Sequence, residues 1–184
     1  MDPITFLISL CLAIGLAAAC GFRVFIPPFL YGLFYRADLV SLNESWIWMG
    51  NDWIIILFGL ASLLEISSTF LPWIDNILDI VATPSAIVAG TILASNCLDG
   101  IDPGLKWILS LICGIGVTGS FQISTVVGRG LSSFFTGGLG NPIFALIEDI
   151  NAIFIPIIVI LYPILGLLFV LTIAFIIRLS LKKL

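Results

Sequence analysis

Runs of apolar residues recur along this chain, several of them near the roughly 20 residues that cross the hydrocarbon core of a bilayer. That feature leaves few folds open. In lipid every backbone N–H and C=O must find a partner inside the protein, which favours helices. Composition agrees. The chain is 60% hydrophobic and 10% charged, with a mean hydropathy of +1.24. Soluble domains are roughly 45–50% apolar and about 25% charged. A water-facing fold of 184 residues could not hide that much apolar surface. The reading is an all-α, polytopic membrane helix bundle of about five spans with broken or re-entrant helices, forming one domain over residues 1–184.

Charge and residue usage exclude several functions. The net charge is −4 and seven Lys and Arg are scattered, so there is no basic face for nucleic acid. The chain has no His, which removes the usual general base and the commonest metal ligand. Cys11, Cys20, Cys97 and Cys113 lie in or beside apolar runs without a CxxC pair and read as small buried hydrophobes. Paired carboxylates could hold Mg²⁺ and a lipid phosphate. Against a lipid-acting enzyme stand the missing dense Asp motifs and the missing nucleophile elbow. No enzyme and no cofactor are expected. The N-terminus MDPITFLISL lacks a basic region, and its apolar run outlasts a signal peptide, so a retained first helix is expected.

Leu63–Pro84 is the stretch around which the rest is organised. Glu65, Asp75 and Asp79 sit inside or against apolar segments there. Asp75 and Asp79 are four apart and share a helix face, where like charges repel unless paired. Pro72 and Thr83-Pro84 each mark a break. Acids on a broken helix near lipid persist only where protein or water lines them.

Taken in order, Ile4–Tyr35 is divided by Pro27-Pro28 into a full helix over 4–25 and a short interfacial or re-entrant piece over 29–35. Gly15, Ala18, Ala19 and Gly21 form a close-packing stripe. Arg23 either snorkels to the headgroups or pairs with a buried carboxylate. A polar loop follows, Arg36–Asp52, with Trp46, Trp48 and Trp53 as interfacial anchors rather than a binding cage. Trp53–Leu71, Pro84–Leu98 and Leu105–Val127 are the next spans, the second of them short. Asn141 and Pro142 look like the cap and first residue of a short helix ending at Glu148 and Asp149. The last span, Ile153–Ile177, contains Pro156 and Pro163, which should bend it without ending it.

The basic tail RLSLKK puts the C-terminus in the cytoplasm and, with five spans, the N-terminus outside. Arg36 and Lys106 then fall inside and Arg129 in an outside loop. There is also an internal echo: GLAAACGFR (Gly15–Arg23) matches GIGVTGSFQ (Gly114–Gln122), and each copy precedes a Pro-broken acidic piece. Chance matching of Gly and Ala competes with two repeat halves, 1–99 and 100–184. Duplicated halves with interrupted helices are a transporter signature.

The ordered set GLAAACGFRVFIPP, Leu64-Glu65, PWIDNILDIVATP, TGGLGNP and Glu148-Asp149 resembles a domain-of-unknown-function family, number four-one-two-six, of small bacterial and plastid-related integral membrane proteins. The resemblance covers about Ile4–Phe175. Relatives look to carry more polar and basic residues where this chain has SFQISTVVGRG, which puts any shared charge relay there in doubt. The resemblance implies the membrane class, in a bacterial inner membrane or a thylakoid. It directs attention to Arg23, Glu65, Asp75, Asp79, Thr136, Asn141, Glu148 and Asp149, and it implies no substrate.

Two functions compete. The first is a small transporter or channel for a cation, a proton or a small solute. Glu65, Asp75 and Asp79 would be its ion sites, Arg23 their counter-ion, and Thr136 and Asn141 polar ligands. A half-helix from Pro142 would aim free N–H groups into the membrane. The second is a non-transporting assembly factor or structural subunit, in which the acids are structural ion pairs. The expected partners are membrane lipids and either a second copy or a larger membrane complex.

Overall fold

The computed structural model describes residues 2–68 and 72–182, with the side chains of 72–80 and 180–182 outside that description. Every regular element among the described residues is helical. In order these are α1 (Pro3–Cys20), α2 (Ile26–Arg36), a 3₁₀ helix (Glu44–Gly50), α3 (Asp52–Ser68) and α4 (Pro72–Cys97). A second set follows: α5 (Pro103–Leu111), a π-helical segment (Ile112–Thr118), α6 (Gly119–Thr136), α7 (Asn141–Leu161) and α8 (Pro163–Lys182). The α5, π and α6 segments run on as one rod of 34 residues. Among the described residues three helices are long and apolar enough to cross a membrane: Pro3–Cys20, Pro103–Thr136 and Asn141–Leu161. A fourth span results if the 3₁₀ helix and α3, bent by 66°, count as one. Val81–Cys97 and Pro163–Leu179 are shorter apolar helices. The chain is a helical membrane bundle.

The core is α1, packed by α4, α7, α8 and the π segment. Its small-residue stripe explains why so many neighbours fit. Ala13, Ala17, Ala18, Ala19 and Cys20 are fully buried, and the missing Cβ of Gly15 leaves the space where Val159 of α7 packs. The Thr118 hydroxyl, on the π segment, donates to the Ala17 carbonyl at 2.7 Å. The two echoed segments thus lie side by side, with the Phe22 and Phe121 ring centroids 5.2 Å apart. A Cβ on Gly21 would come within 2.7 Å of the Thr118 carbonyl oxygen.

Contacts give each helix its direction. Phe6 and Leu10, early in α1, and Ile101 and Leu109, around the start of α5, pack against one buried cluster of Ala13, Ala17, Ala94, Leu98 and Cys113. After the break at 21–25, α2 runs back towards that same end. Asn96 donates to the Tyr31 hydroxyl at 2.6 Å, Asn43 N–H donates to Asn96 at 2.9 Å, and Arg36 pairs with Asp52. Arg36 and Lys106 therefore sit at the end where α1 begins, and α8 ends at the other. The α1–α2 hairpin sets this arrangement, because it returns the chain before α3 starts. Each of these cations has a partner acid, Arg36 with Asp52 and Lys106 with Asp99 at 3.1 Å.

The prolines divide differently from expectation. Pro72 opens α4, as a helix-starting proline can. Pro84 does not break the chain, since α4 continues through it for 26 residues in all, so the short third span is the second half of a longer helix. A proline inside a membrane helix loses one backbone bond and persists when neighbouring helices hold both halves. Pro163 does what Pro84 was expected to do. α7 stops at Leu161, Tyr162 is extended (φ −141°, ψ 76°), and α8 starts at Pro163, so the last span is cut in two. Glu148 and Asp149 do not end a short helix either. They lie within α7, which runs unbroken from Asn141 past Pro156. Trp53 is 82% exposed, as an anchor would be, whereas Trp46 donates to the Ser95 hydroxyl at 2.8 Å.

Candidate functional site

The candidate site grows from the break between α1 and α2. Gly21 caps α1, with its N–H on the Ala18 and Ala19 carbonyls, and α2 opens with Ile26-Pro27-Pro28. Proline suits a first turn because the missing N–H would lack an intrahelical partner anyway. The N–H groups just upstream, on Val24 and Phe25, still need acceptors. Glu65 of α3 supplies them: one carboxylate oxygen accepts from Val24 N–H at 2.7 Å, the other from Phe25 N–H at 3.0 Å. A carboxylate there also faces the positive end of the α2 dipole.

Arg23 projects from the same break and is 5% exposed. Its Nε donates to Asp149 Oδ1 at 2.7 Å, and Nη2 stands 3.9 Å from Glu148 Oε2. Its Nη1 donates to the Glu65 main-chain carbonyl at 3.4 Å, an oxygen that also accepts from the Ser68 hydroxyl at 2.7 Å. Glu148, 3% exposed, meets a second guanidinium, Arg129 of α6, at 3.4 Å. Two arginines and three carboxylates, drawn from the α1–α2 break, α3, α6 and α7, thus converge deep in the bundle. Among the described residues two positive charges face three negative ones here, and the α2 N-terminus directs two N–H groups at one of the three. Against the break lies a largely apolar cavity of about 360 Å³, walled by Val24, Phe25, Trp48, Phe58, Pro84 and Val88 among others.

Of the residues singled out in the sequence, Arg23, Glu65, Glu148 and Asp149 come together. The role of Arg23 differs in one respect: it pairs with Asp149 and Glu148, and it touches Glu65 only at the main chain. Thr136 and Asn141 lie elsewhere, in the α6–α7 turn about 10 Å along α7 from Glu148. Thr136 donates to the Ser132 carbonyl and accepts from Gly140 N–H, while the Asn141 amide donates to Ser133. Gly140, not Asn141, holds the N-cap position of α7. The free N–H groups expected there are taken, since Asn141 N–H donates to the Gly138 carbonyl and Ile143 and Phe144 N–H to that of Gly140. The preceding turn uses Gly137 and Gly138 at φ +61° and +90°, which favours self-contained bonding. Asp75 and Asp79 fall in the first turns of α4, but their side chains lie outside the described residues. Arg129, expected in an outside loop, is in α6 and belongs to the site. Among the described residues no three acids or cysteines converge as a metal-ligand group.

No curated protein and no solved structure matches this chain. One family does, over residues 10–183, and the matched span takes in the α1–α2 break and every residue of the charge cluster. The chain therefore belongs to the family described as Domain of unknown function (DUF4126).

Proposed function

We propose that the protein is a small transporter or channel for a proton, a cation or a small solute, worked by the carboxylates at the α1–α2 break. One observation carries this reading: five ionisable side chains, Arg23, Glu65, Arg129, Glu148 and Asp149, meet at interrupted backbone inside an apolar bundle. Charges in that setting are expensive and by default point to function, and broken helices are where transporters bind their cargo. The mechanism runs through Glu65. A proton arriving on its carboxylate weakens its hold on Val24 and Phe25, and the non-helical residues 21–25 then hinge α2 away from α3. Reconstituted into vesicles with a pH-sensitive dye, the wild type should carry flux, and Glu65→Gln should abolish it. Flux unchanged by that substitution refutes the assignment.

A second reading, a non-transporting assembly factor or structural subunit, is favoured by the completeness of the pairing. Each of Glu65, Glu148 and Asp149 is already seated on a partner, and the adjoining cavity is apolar. A stoichiometric partner in a mild-detergent pull-down, with no flux from the isolated chain, would select it. Under both readings the protein is not an enzyme. For orientation we propose the α8 end in the cytoplasm of a bacterial inner membrane or the stroma-facing side of a thylakoid, with the N-terminus opposite. The two cations left outside, Arg36 and Lys106, are each paired with an acid.

A further inference from the structure

We propose that the cargo of the α1–α2 site is a proton and that Asp149 is where it enters the cluster. This rests on the transporter reading above and narrows it. A hard metal cation takes roughly six oxygen ligands. Here both Glu65 oxygens already receive backbone N–H groups, at 2.7 and 3.0 Å, and Asp149 Oδ1 receives Arg23 Nε at 2.7 Å. The Arg23 and Arg129 guanidiniums come within 3.9 and 3.4 Å of Glu148, so a cation on that carboxylate would lie beside two fixed positive charges. A polar solute fares no better. The adjoining cavity of about 360 Å³ is walled by Val24, Phe25, Phe58, Val88 and Ile92, and its polar groups are Ser85 and the Trp48 indole. Such a wall replaces few of the hydrogen bonds that the solute makes in water. A proton needs one lone pair, and a carboxylate with a donor on it keeps others.

Asp149 combines an open acceptor with access. Its Oδ1 is on Arg23, whereas Oδ2 accepts no hydrogen bond among the described residues. Its side chain is 17% exposed, against 4% for that of Glu148. Among the described residues the charged groups around it are Arg23 from the break, Glu65 from α3, Glu148 beside it on α7, and Arg129 from α6 on the far side of Glu148. A hydronium ion gives its proton to Oδ2 and leaves as water. Asp149 becomes a neutral acid, and Arg23 keeps its charge. Passing that proton to the Glu65 carboxylate, across the guanidinium that touches both residues, ionises Asp149 again and loosens Glu65 from Val24 and Phe25. Water takes the proton from Glu65 once residues 21–25 have opened. One proton enters and one leaves, and each acid returns to its starting charge.

The test uses the full chain in proteoliposomes under an imposed potential, with a pH-sensitive or a sodium-sensitive dye inside. Protons should move and sodium should not. Asp149→Asn should lower proton flux about a hundredfold, the low end of what a positioned acid contributes to proton transfer. Asp149→Glu, which keeps the acid, should retain most of the flux, and Arg36→Gln, at the far end of the bundle, should leave it intact. Dicyclohexylcarbodiimide, which reacts with protonated carboxyls in apolar surroundings, should block flux through the wild type and mark Asp149, as read by peptide mass spectrometry. Label confined to other acids overturns Asp149 as the entry even if Asp149→Asn fails to fold. Proton flux that survives Asp149→Asn but is lost in Glu65→Gln also overturns this inference, and it leaves the transporter reading standing. Sodium flux in place of proton flux does the same. Absence of both fluxes removes the ion-transport reading along with the inference.

Discussion

Glu65→Gln is the most informative single substitution, because it keeps the shape of the side chain and changes what it can accept. In the native protein both carboxylate oxygens receive backbone N–H groups, from Val24 at 2.7 Å and from Phe25 at 3.0 Å. A glutamine offers one oxygen and one NH₂. One N–H keeps its acceptor and the other faces a donor. Stranding a buried donor costs about 1–3 kcal/mol. Losing the negative charge at the α2 N-terminus removes about 0.3–1 kcal/mol at exposed sites and up to ~2 kcal/mol when partly buried. Together they predict a loss of about 2–4 kcal/mol, concentrated at the break. Reversible unfolding in mixed micelles reads the total. Amide hydrogen exchange of the peptide covering Val24 and Phe25 reads its location, and exchange there should accelerate while the α4 peptide around Leu93 stays protected. A glutamine variant within about 0.5 kcal/mol of wild type, the ordinary scatter for surface changes, with unchanged exchange at Val24, would refute the capping role of Glu65.

Other substitutions test the frame that holds the site. Gly21→Val should prevent assembly of the detergent-stable bundle, because its Cβ would meet the Thr118 carbonyl at 2.7 Å, a backbone atom that cannot yield; normal expression and monodispersity would contradict the close approach. Asn96→Leu should cost about 2–4 kcal/mol in the same unfolding assay, since Asn96 donates to the Tyr31 hydroxyl and the Ser41 carbonyl and accepts from Asn43 N–H. Gly137→Ala should cost about 1–2 kcal/mol, because this residue has φ +61°. A neutral effect would mean the α6–α7 turn is built another way.

The membrane class was legible from hydropathy alone, and so was a break near Pro27-Pro28, although it falls at 21–25, where Gly21 caps α1 and the two prolines only start α2. The small-residue stripe of α1 correctly marked a packing face, because Gly and Ala matter through what they leave out. Pro84 and Pro163 were misjudged for one reason. A proline removes the same backbone bond everywhere, and whether the helix survives depends on neighbours that the local sequence does not name. Arg129 was missed because Gly128 and Gly130 flank it and made the segment look like a loop, whereas α6 runs through them. Arg23 was expected as counter-ion to Glu65, Asp75 and Asp79, yet the carboxylate of Glu65 is taken by two uncharged N–H groups. One signal went unused. Glu65–Ile74 reads EISSTFLPWI and Asp149–Ile158 reads DINAIFIPII, matching at the acid, the following Ile, Phe, Pro and the last Ile. That alignment sets Glu65 and Asp149 as counterparts, and these are the two acids that hold the backbone and the guanidinium of the same break.

The central claim is that Arg23 and the α7 acids form one coupled charge cluster inside the bundle. A double-mutant cycle in micelles, with Arg23→Gln, Asp149→Asn and the pair, measures it most directly. Single losses of about 3–5 kcal/mol are expected for a buried pair, with a coupling energy of at least about 1 kcal/mol, so that the double variant is far less damaged than the sum. Losses that add within about 0.3–0.5 kcal/mol, as for distant sites, would contradict it.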